Sequence, residues 1–287
     1  MNIFQNIKEA FVSIRTNITR TVITCLIISF GIMALVGILT AIDGIETSLV
    51  KNFSFMGANS FNIQNKSSGF MLGRKKKRVY YESISYKQAC EFKSRFDQNA
   101  VISVNSSNTW TATAKYRSNK TNPNTPILGI DEAYLRVAGY ELFSGRNIAV
   151  SDVERALPVA IIGQEIKETL FGNGNCINQF IRVGGVKLKV VGLLSKKGGA
   201  FDFGGDRVIL VPVSLARVKF SVSNLSYNIG VAIDDVNGIE GMVDYSTILF
   251  RQVRRLKVKE EDNFSIIKSD SISKSLLENL SLILLGA

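Results

Sequence analysis

Histidine does not occur anywhere in the 287-residue chain. Its absence removes the one side chain whose ordinary pKa lies near neutrality. With it go Ser-His-Asp and Cys-His nucleophile systems and nearly all transition-metal sites except all-cysteine or carboxylate ones. Cysteine is scarce: Cys25, Cys90 and Cys176 stand far apart, so neither a C-x-x-C redox motif nor a zinc cluster can be read. An oxidising compartment would permit a disulfide between Cys90 and Cys176, but nothing in their spacing favours it. No G-x-x-x-x-G-K-[ST] phosphate loop, G-x-S-x-G elbow or EF-hand spacing is present, so ATP binding by that route is excluded. The adjacent acids Asp234-Asp235 and Glu260-Glu261-Asp262 read as caps and solvated turns rather than catalytic carboxylates. The expectation is a non-catalytic protein with no cofactor and no metal.

What is present is apolar and basic. Hydrophobic residues make up 46% of the chain, enough for a sizeable core, and Lys+Arg 35 against Asp+Glu 24 leaves a formal charge of +11. From Thr21 to Ile42 the sequence TVITCLIISFGIMALVGILTAI carries no charge. As a helix this run is roughly 33 Å long, which matches a hydrocarbon core of about 30 Å and exceeds the apolar core of a signal peptide. Lys8, Arg15 and Arg20 precede it, whereas Asp43 and Glu46 follow it before the first basic residue, Lys51. The positive-inside bias predicts a cytoplasmic N-terminus and places everything after Ile42 outside.

The first twenty residues carry Ile3, Phe4, Ile7, Ala10, Phe11 and Ile14 at helical spacing, as in an amphipathic helix lying on a membrane or packed on a neighbour. Beyond the span, Ile42, Ile45, Leu49, Phe53 and Met56 keep the same rhythm, which predicts a helical stalk of about 20 Å. The closing run SLLENLSLILLGA places Ile272, Leu276, Leu280 and Leu284 on one face. The faces bearing Ile45, Leu49 and Phe53 and bearing Ile272, Leu276 and Leu280 are expected to pack together as a stalk.

Between these ends the pattern is α+β. NSFNIQ, AVISVNS, TWTATAKY and TPILGI read as strands, and SYKQACEFKSRF as a helix with Ala89, Phe92 and Phe96 on one face. LPVAIIG is a buried strand and QEIKETLFG a helix ending at Gly172. INQFIRV and VKLKVVGLL form a hairpin turning at Gly184-Gly185, and DRVILVPV is a further strand. Lys187 and Lys189 alternate with Val186, Leu188 and Val190, so one face of that sheet is wet. YNIGVAI, VNGIEGMVDYSTILFRQVRRL and NFSII read as strand, helix and strand. Pairing of this last unit with the first cluster would make the middle cluster an insertion.

Two basic stretches stand out. Arg74, Lys75, Lys76, Lys77 and Arg78 follow the Gly-containing SSGFMLG and read as a solvated loop, with anionic lipid headgroups or an acidic partner surface as the functional alternatives. Nucleic acid is disfavoured, because the loop lies outside the cell and few aromatics are interleaved. RRLKVK, Arg254 to Lys259, ends a helix and is read as cations suiting the helix dipole.

Three stretches resemble the MacB/FtsX-like permeases of ABC transporters. SIRTNITRTVITCLIISFGIMALVGILTAIDGI is similar to the family's entry into its first span, and MGANSFNI to its turn into the first strand. ELFSGRNIAVSD, PVAIIGQEIKETLFG and IRVGGVKLKVVGLLSKKG resemble its Gly-Arg, Val-x-Ile-Gly, Leu-Phe-Gly and Val-Val-Gly signature. After Leu170-Phe171-Gly172 the family often has a Pro-x-Gly turn where this chain has NGNCINQ.

The resemblance implies an α+β extracytoplasmic domain on a transmembrane helix and helical stalk. A Porter-like βαβ subdomain would be built from 58–130 and 221–268, with a β-rich Sabre-like subdomain, 131–220, inserted. Around them lie a membrane-surface helix (1–20), the first span and stalk (21–57), and the returning stalk with the start of a second span (269–287). It further implies a bacterial cytoplasmic (inner) membrane location with the main domain periplasmic. The implied partners are a separate cytoplasmic ABC ATPase, a second permease copy or related permease, membrane lipid, and a periplasmic protein or lipoprotein. Family permeases have four spans, so the chain reads as the part up to the start of the second. A single-span anchored binding protein or sensor is the alternative, separated from the first reading by whether further spans follow residue 287.

Overall fold

The computed structural model of the protein describes residues 15–54, 60–66, 81–196, 206–220, 225–233 and 238–269. Its first element is α1 (Ile18–Ser54), 37 residues long. Within it, Ile18–Ala41 has a mean hydropathy of 2.7 and is the one helix among the described residues long and apolar enough to cross a membrane. None of that stretch is buried within the chain. Two of its hydroxyls bond back along the helix: Thr24 donates to the Arg20 carbonyl and Thr40 to the Val36 carbonyl, both at 2.8 Å. A helix that keeps its own polar groups paired meets the demand that a hydrocarbon environment makes. The first compact unit takes in residues up to Leu49, and the second is Val50–Glu278.

Among the described residues the second unit is built on one 12-stranded mixed sheet. In chain order its elements are β1 (Ser60–Asn65), α2 (Tyr86–Arg95), β2 (Val101–Ala112), β3 (Ala114–Tyr116), β4 (Asn119–Lys120), β5 (Thr125–Ile130), α3 (Tyr134–Val137), β6 (Leu142–Gly145) and α4 (Val150–Glu154). There follow β7 (Val159–Ile162), α5 (Gln164–Phe171), β8 (Phe180–Val183), β9 (Val186–Leu194), β10 (Ile209–Pro212), α6 (Val213–Lys219), β11 (Tyr227–Ala232), α7 (Ile239–Val253) and β12 (Phe264–Lys268). The strand order is β12-β1-β11-β2-β5-β10-β7-β9-β8-β3-β4, with β6 on β9. β10 runs parallel to β5 and β7 parallel to β9; the other pairs are antiparallel.

The last strand–helix–strand unit returns to the first cluster. β11 lies between β1 and β2, and β12 pairs with β1. α2 and α7 pack together over these strands around Phe61, Ile63, Phe92, Val104, Ile229 and Phe250. The start of α2 is held by a capping box in which the Ser85 hydroxyl accepts from the Gln88 N–H at 3.2 Å and Gln88 accepts from the Ser85 N–H at 3.0 Å. Edge-to-face contacts of Phe250 with Phe92 (5.7 Å) and Phe264 (4.9 Å) join both helices to β12.

The other half of the sheet is covered on both faces over β7 and β10. Ala160, Ile162, Ile209 and Val211 face α5 and α6, while Val159, Ile161, Val208 and Leu210 face a separate cluster with Ile130, Leu135 and Ile148. Burial on both sides is why these strands read as continuous apolar runs rather than alternating ones. Ala114 of β3 and Ile127 of β5 belong to the α5–α6 core. β8 alternates, with Ile181 and Val183 fully buried and Phe180 and Arg182 exposed.

Two local expectations changed. AVISVNS and the start of TWTATAKY form the single strand β2, which pairs with β11 through its first half and with β5 through its second. Register shifts at Ser107/Thr109 and Thr109/Ala112 bend it without ending it. The polar residues that suggested a break are anchored: Asn108 is buried, accepts from the Ser106 hydroxyl at 2.9 Å and donates to the Ala216 carbonyl at 3.2 Å. Arg254, read only as a cation suiting the helix dipole, is buried at the end of α7 and donates to the Glu82 carbonyl at 2.7 Å. All three cysteines are free.

Candidate functional site

The Gly-Arg, Val-x-Ile-Gly and Val-Val-Gly stretches converge where β6 meets β9. Gly145 sits at φ +87°, and a Cβ there would stand 2.3 Å from the Val191 carbonyl oxygen. From the other strand, a Cβ on Gly192 would stand 2.6 Å from the Arg146 carbonyl oxygen. Only paired glycines let the two backbones approach this closely, and the Arg146 N–H uses the approach to donate to the Val191 carbonyl at 2.8 Å. The Arg146 guanidinium then forks onto Asp152, at 2.6 and 3.3 Å, while Asp152 also accepts from the Ala149 N–H at 2.9 Å and so holds the first turn of α4.

Gly145, Arg146, Asp152 and Val191 line one side of an open cleft of about 380 Å³, completed by Leu157, Val159, Ile177, Asn178 and Lys189. It offers an ion pair, a lysine and an amide over an apolar floor, with no nucleophile–base pair. Among the described residues no group of three or more Cys, Asp or Glu is placed to hold a metal. The corner is architectural. Gly145→Ala forces a Cβ into a strained φ and against a carbonyl, and should destabilise the domain by about 2 kcal/mol. Its melting temperature should fall by roughly 6 °C; an unchanged melt would show that the corner yields at no cost.

A second polar centre lies where β5 ends. Asp131, buried, accepts from the Ser103 hydroxyl at 2.7 Å, the Val104 N–H at 2.9 Å and the Lys93 ammonium at 2.7 Å. Lys93 also donates to Glu132 at 2.8 Å, and Asn147 donates to the Glu132 carbonyl at 2.8 Å. This clasp ties α2 and β2, from the first core, to the segment entering the second.

The titrating groups carry the imprint of both centres. Burial alone would raise the Asp152 carboxyl, but the hydrogen bonds from Arg146 and from the Ala149 N–H, together with the Arg146 charge, outweigh it and hold the pKa below the usual range. Glu132 is likewise raised by burial and lowered further by Lys93. Burial pushes Lys93 down, and Asp131 and Glu132 more than reverse it, leaving it above its ordinary value. Depressed carboxylates stabilise the fold fully above their unfolded values, about 3.9 for Asp and 4.3 for Glu, and lose that contribution as pH falls through the folded values. The raised lysine contributes fully below about 10.4 and loses its share as pH rises past that. Melting temperature should therefore be flat from about pH 5 to 8, fall below that as the carboxylates protonate, and fall above it first because burial raises the Cys176 thiol above its unfolded value and then as Lys93 loses its proton. Asp152→Asn should shallow the acid limb; an acid limb identical to the parent's would exclude this ion pair as a contributor.

Neither of the sequence-derived surface candidates is assembled in the described residues. Ile45, Leu49 and Phe53 belong to the backbone of α1, but their side chains lie outside the description, as do Ile272, Leu276 and Leu280 and the loop Arg74, Lys75, Lys76, Lys77 and Arg78. The clasp at Asp131 was not singled out from sequence, since a lone acid at a strand end carries no pattern.

Residues 21–244 match the family described as the MacB-like periplasmic core domain. The chain is similar to the macrolide export ATP-binding/permease protein MacB of Wolinella succinogenes, with 24% identity over 241 residues, which is 83% of this chain and 36% of that protein. It is similar also to the MacB of Bdellovibrio bacteriovorus, with 26% identity over 275 residues, 95% of this chain and 41% of that protein. The chain thus spans about two fifths of the length of these relatives. The fold matches the crystal structure of the periplasmic region of MacB from Actinobacillus actinomycetemcomitans with a TM-score of 0.62 at 21% identity, covering 79% of this chain and 97% of that one. It also matches the extracellular domain of the noncanonic ABC-type transporter YknZ from Gram-positive bacteria, TM-score 0.54 at 19% identity, covering 73% and 100%. The mixed α+β unit therefore has the architecture of the MacB periplasmic region, and the chain belongs to the MacB-like periplasmic core domain family of ABC permeases.

Proposed function

We propose that this chain is the outer-domain portion of a permease that transmits work across a membrane. ATP would be hydrolysed on a separate cytoplasmic ABC ATPase; the relatives' being ATP-binding/permease proteins supports the link to ATP. Two permease copies, or this one and a related permease, would move their stalks together and apart. The bacterial cytoplasmic membrane with a cytoplasmic N-terminus is the location this requires, and the charge bias about the first span supports it.

The observation that carries the reading is the length of α1. The helix continues unbroken for thirteen residues beyond the apolar window that ends at Ala41. That is roughly 20 Å of helix past the hydrocarbon, ending six residues before β1. A helix is stiff on this scale, so in this reading displacement at the membrane would be carried along α1 toward the outer domain. The two-part division, 58–130 with 221–268 around an inserted 131–220, is supported by β11 and β12 returning to β1 and β2. In this reading the inserted part also uses Ala114 and Ile127 in its core.

The test is crosslinking in membranes that also contain the ATPase partner. Cysteines at Leu49 and Leu276, or at neighbouring turns, should crosslink, and the yield should change when ATP is added. Absence of crosslinks across all nearby registers, or a yield indifferent to ATP, would sink the stalk mechanism.

A further inference from the structure

The strand register places a row of cations across four neighbouring strands. Lys120 of β4 is directly opposite Lys115 of β3, Lys115 opposite Arg182 of β8, and Arg182 opposite Lys187 of β9. Directly opposed residues of antiparallel strands share a face, with Cβ atoms about 5 Å apart. The row therefore runs straight across the sheet for roughly 14 Å. All four side chains are exposed, while their neighbours Ala114 and Val183 are fully buried on the other face. β3, β4, β8 and β9 contain no Asp or Glu, and none of the four cations takes an ion pair among the described residues.

Like charges placed directly opposite each other destabilise a sheet. Folding alone gives no reason to set four in one line where alternation would relieve them. Beside the row, Phe180 is 49% exposed with the Lys187 ammonium 4.2 Å from its ring centroid. Phe180 in turn is opposite Lys189, which adds a fifth cation next to the aromatic ring.

We propose that this sheet face docks an acidic segment of a partner protein, with its carboxylates along the Lys120–Lys115–Arg182–Lys187 row and an apolar side chain against Phe180. Four of the five cations lie in a row one residue wide, which fits a line of charge on a strand or helix rather than the plane of charge of a bilayer. A polyphosphate chain would satisfy the cations and leave Phe180 without a partner. A second copy of this chain is disfavoured by its own charge of +11. The proposal does not depend on the permease reading, because binding is measured on the isolated protein.

The experiment uses the whole protein in nanodiscs of zwitterionic lipid and a fluorescein-labelled peptide of alternating glutamate and leucine, read by anisotropy. The peptide should bind, with affinity falling as salt rises. The double variant K115Q/R182Q should weaken binding about tenfold or more, and Phe180→Ala should weaken it for this peptide but not for polyglutamate. A control, K257Q/K259Q, removes two exposed cations elsewhere and should change binding less than about twofold. Because the row is repulsive, K115Q/R182Q should also melt no lower than the parent, which separates docking from folding. Equal losses in the control, or no peptide binding, would overturn the proposal. So would polyphosphate or anionic vesicles outcompeting the peptide through the same row.

Discussion

Asp131→Ala is expected to be among the most damaging single substitutions in the outer domain. It strips the Ser103 hydroxyl, the Val104 N–H and the Lys93 ammonium of their shared acceptor, in a position where the carboxylate side chain is only 5% exposed. Lys93 keeps Glu132 as a partner, but the buried Ser103 hydroxyl and Val104 N–H are left without an acceptor, at about 1–3 kcal/mol each, so the total cost should be about 3 kcal/mol or more. For a unit of this size the melting temperature should fall by roughly 6–12 °C. Asp131→Asn keeps an acceptor for Val104 and loses the charge, so it should fall between parent and alanine. A loss within a few tenths of a kcal/mol for both variants would mean that water replaces the carboxylate and that the two cores do not depend on this clasp.

The second large effect is on coupling rather than stability. Ser48 lies inside α1, beyond the apolar window and before β1. Proline there removes a backbone hydrogen bond and clashes with the carbonyl four residues earlier, costing about 3 kcal/mol locally and kinking the helix. If α1 transmits displacement, Ser48→Pro should uncouple the partner's ATP hydrolysis from any change in the outer domain, read as ATP-dependent crosslinking or transport. The outer domain's own melt should stay within roughly 2 °C of the parent, since the change lies outside its sheet. Full retention of coupling in the proline variant would exclude a rigid stalk. Loss of coupling together with a large fall in the melt would instead mean that the outer domain depends on α1 for its fold.

Much of the architecture is legible from local pattern. The uncharged run from Thr21 to Ile42 determines a membrane-length helix because backbone geometry converts residue count directly into length. VAII and VILV announce strands buried on both faces, and Gly184-Gly185 announces a hairpin, because each depends on the residues themselves and their immediate neighbours. The positive φ of both glycines, +54° and +83°, is what that turn demands. The absence of histidine, too, is complete information before any folding occurs.

Tertiary structure decided what depends on partners far away in the chain. The polar run Asn105 to Thr109 looked like a break and is the middle of β2, because α6, more than a hundred residues later, supplies the carbonyl that satisfies Asn108. Arg254 was legible only as a cation at a helix end and is buried beneath the Glu82 carbonyl, 172 residues away in sequence. Lys187 and Lys189 could be placed on a wet face from alternation alone. That Lys115, Lys120 and Arg182 join Lys187 in one row follows only from the pairing of β3 with β8, whose register no local pattern encodes. Side-chain period is a property of one strand, and register is a property of two.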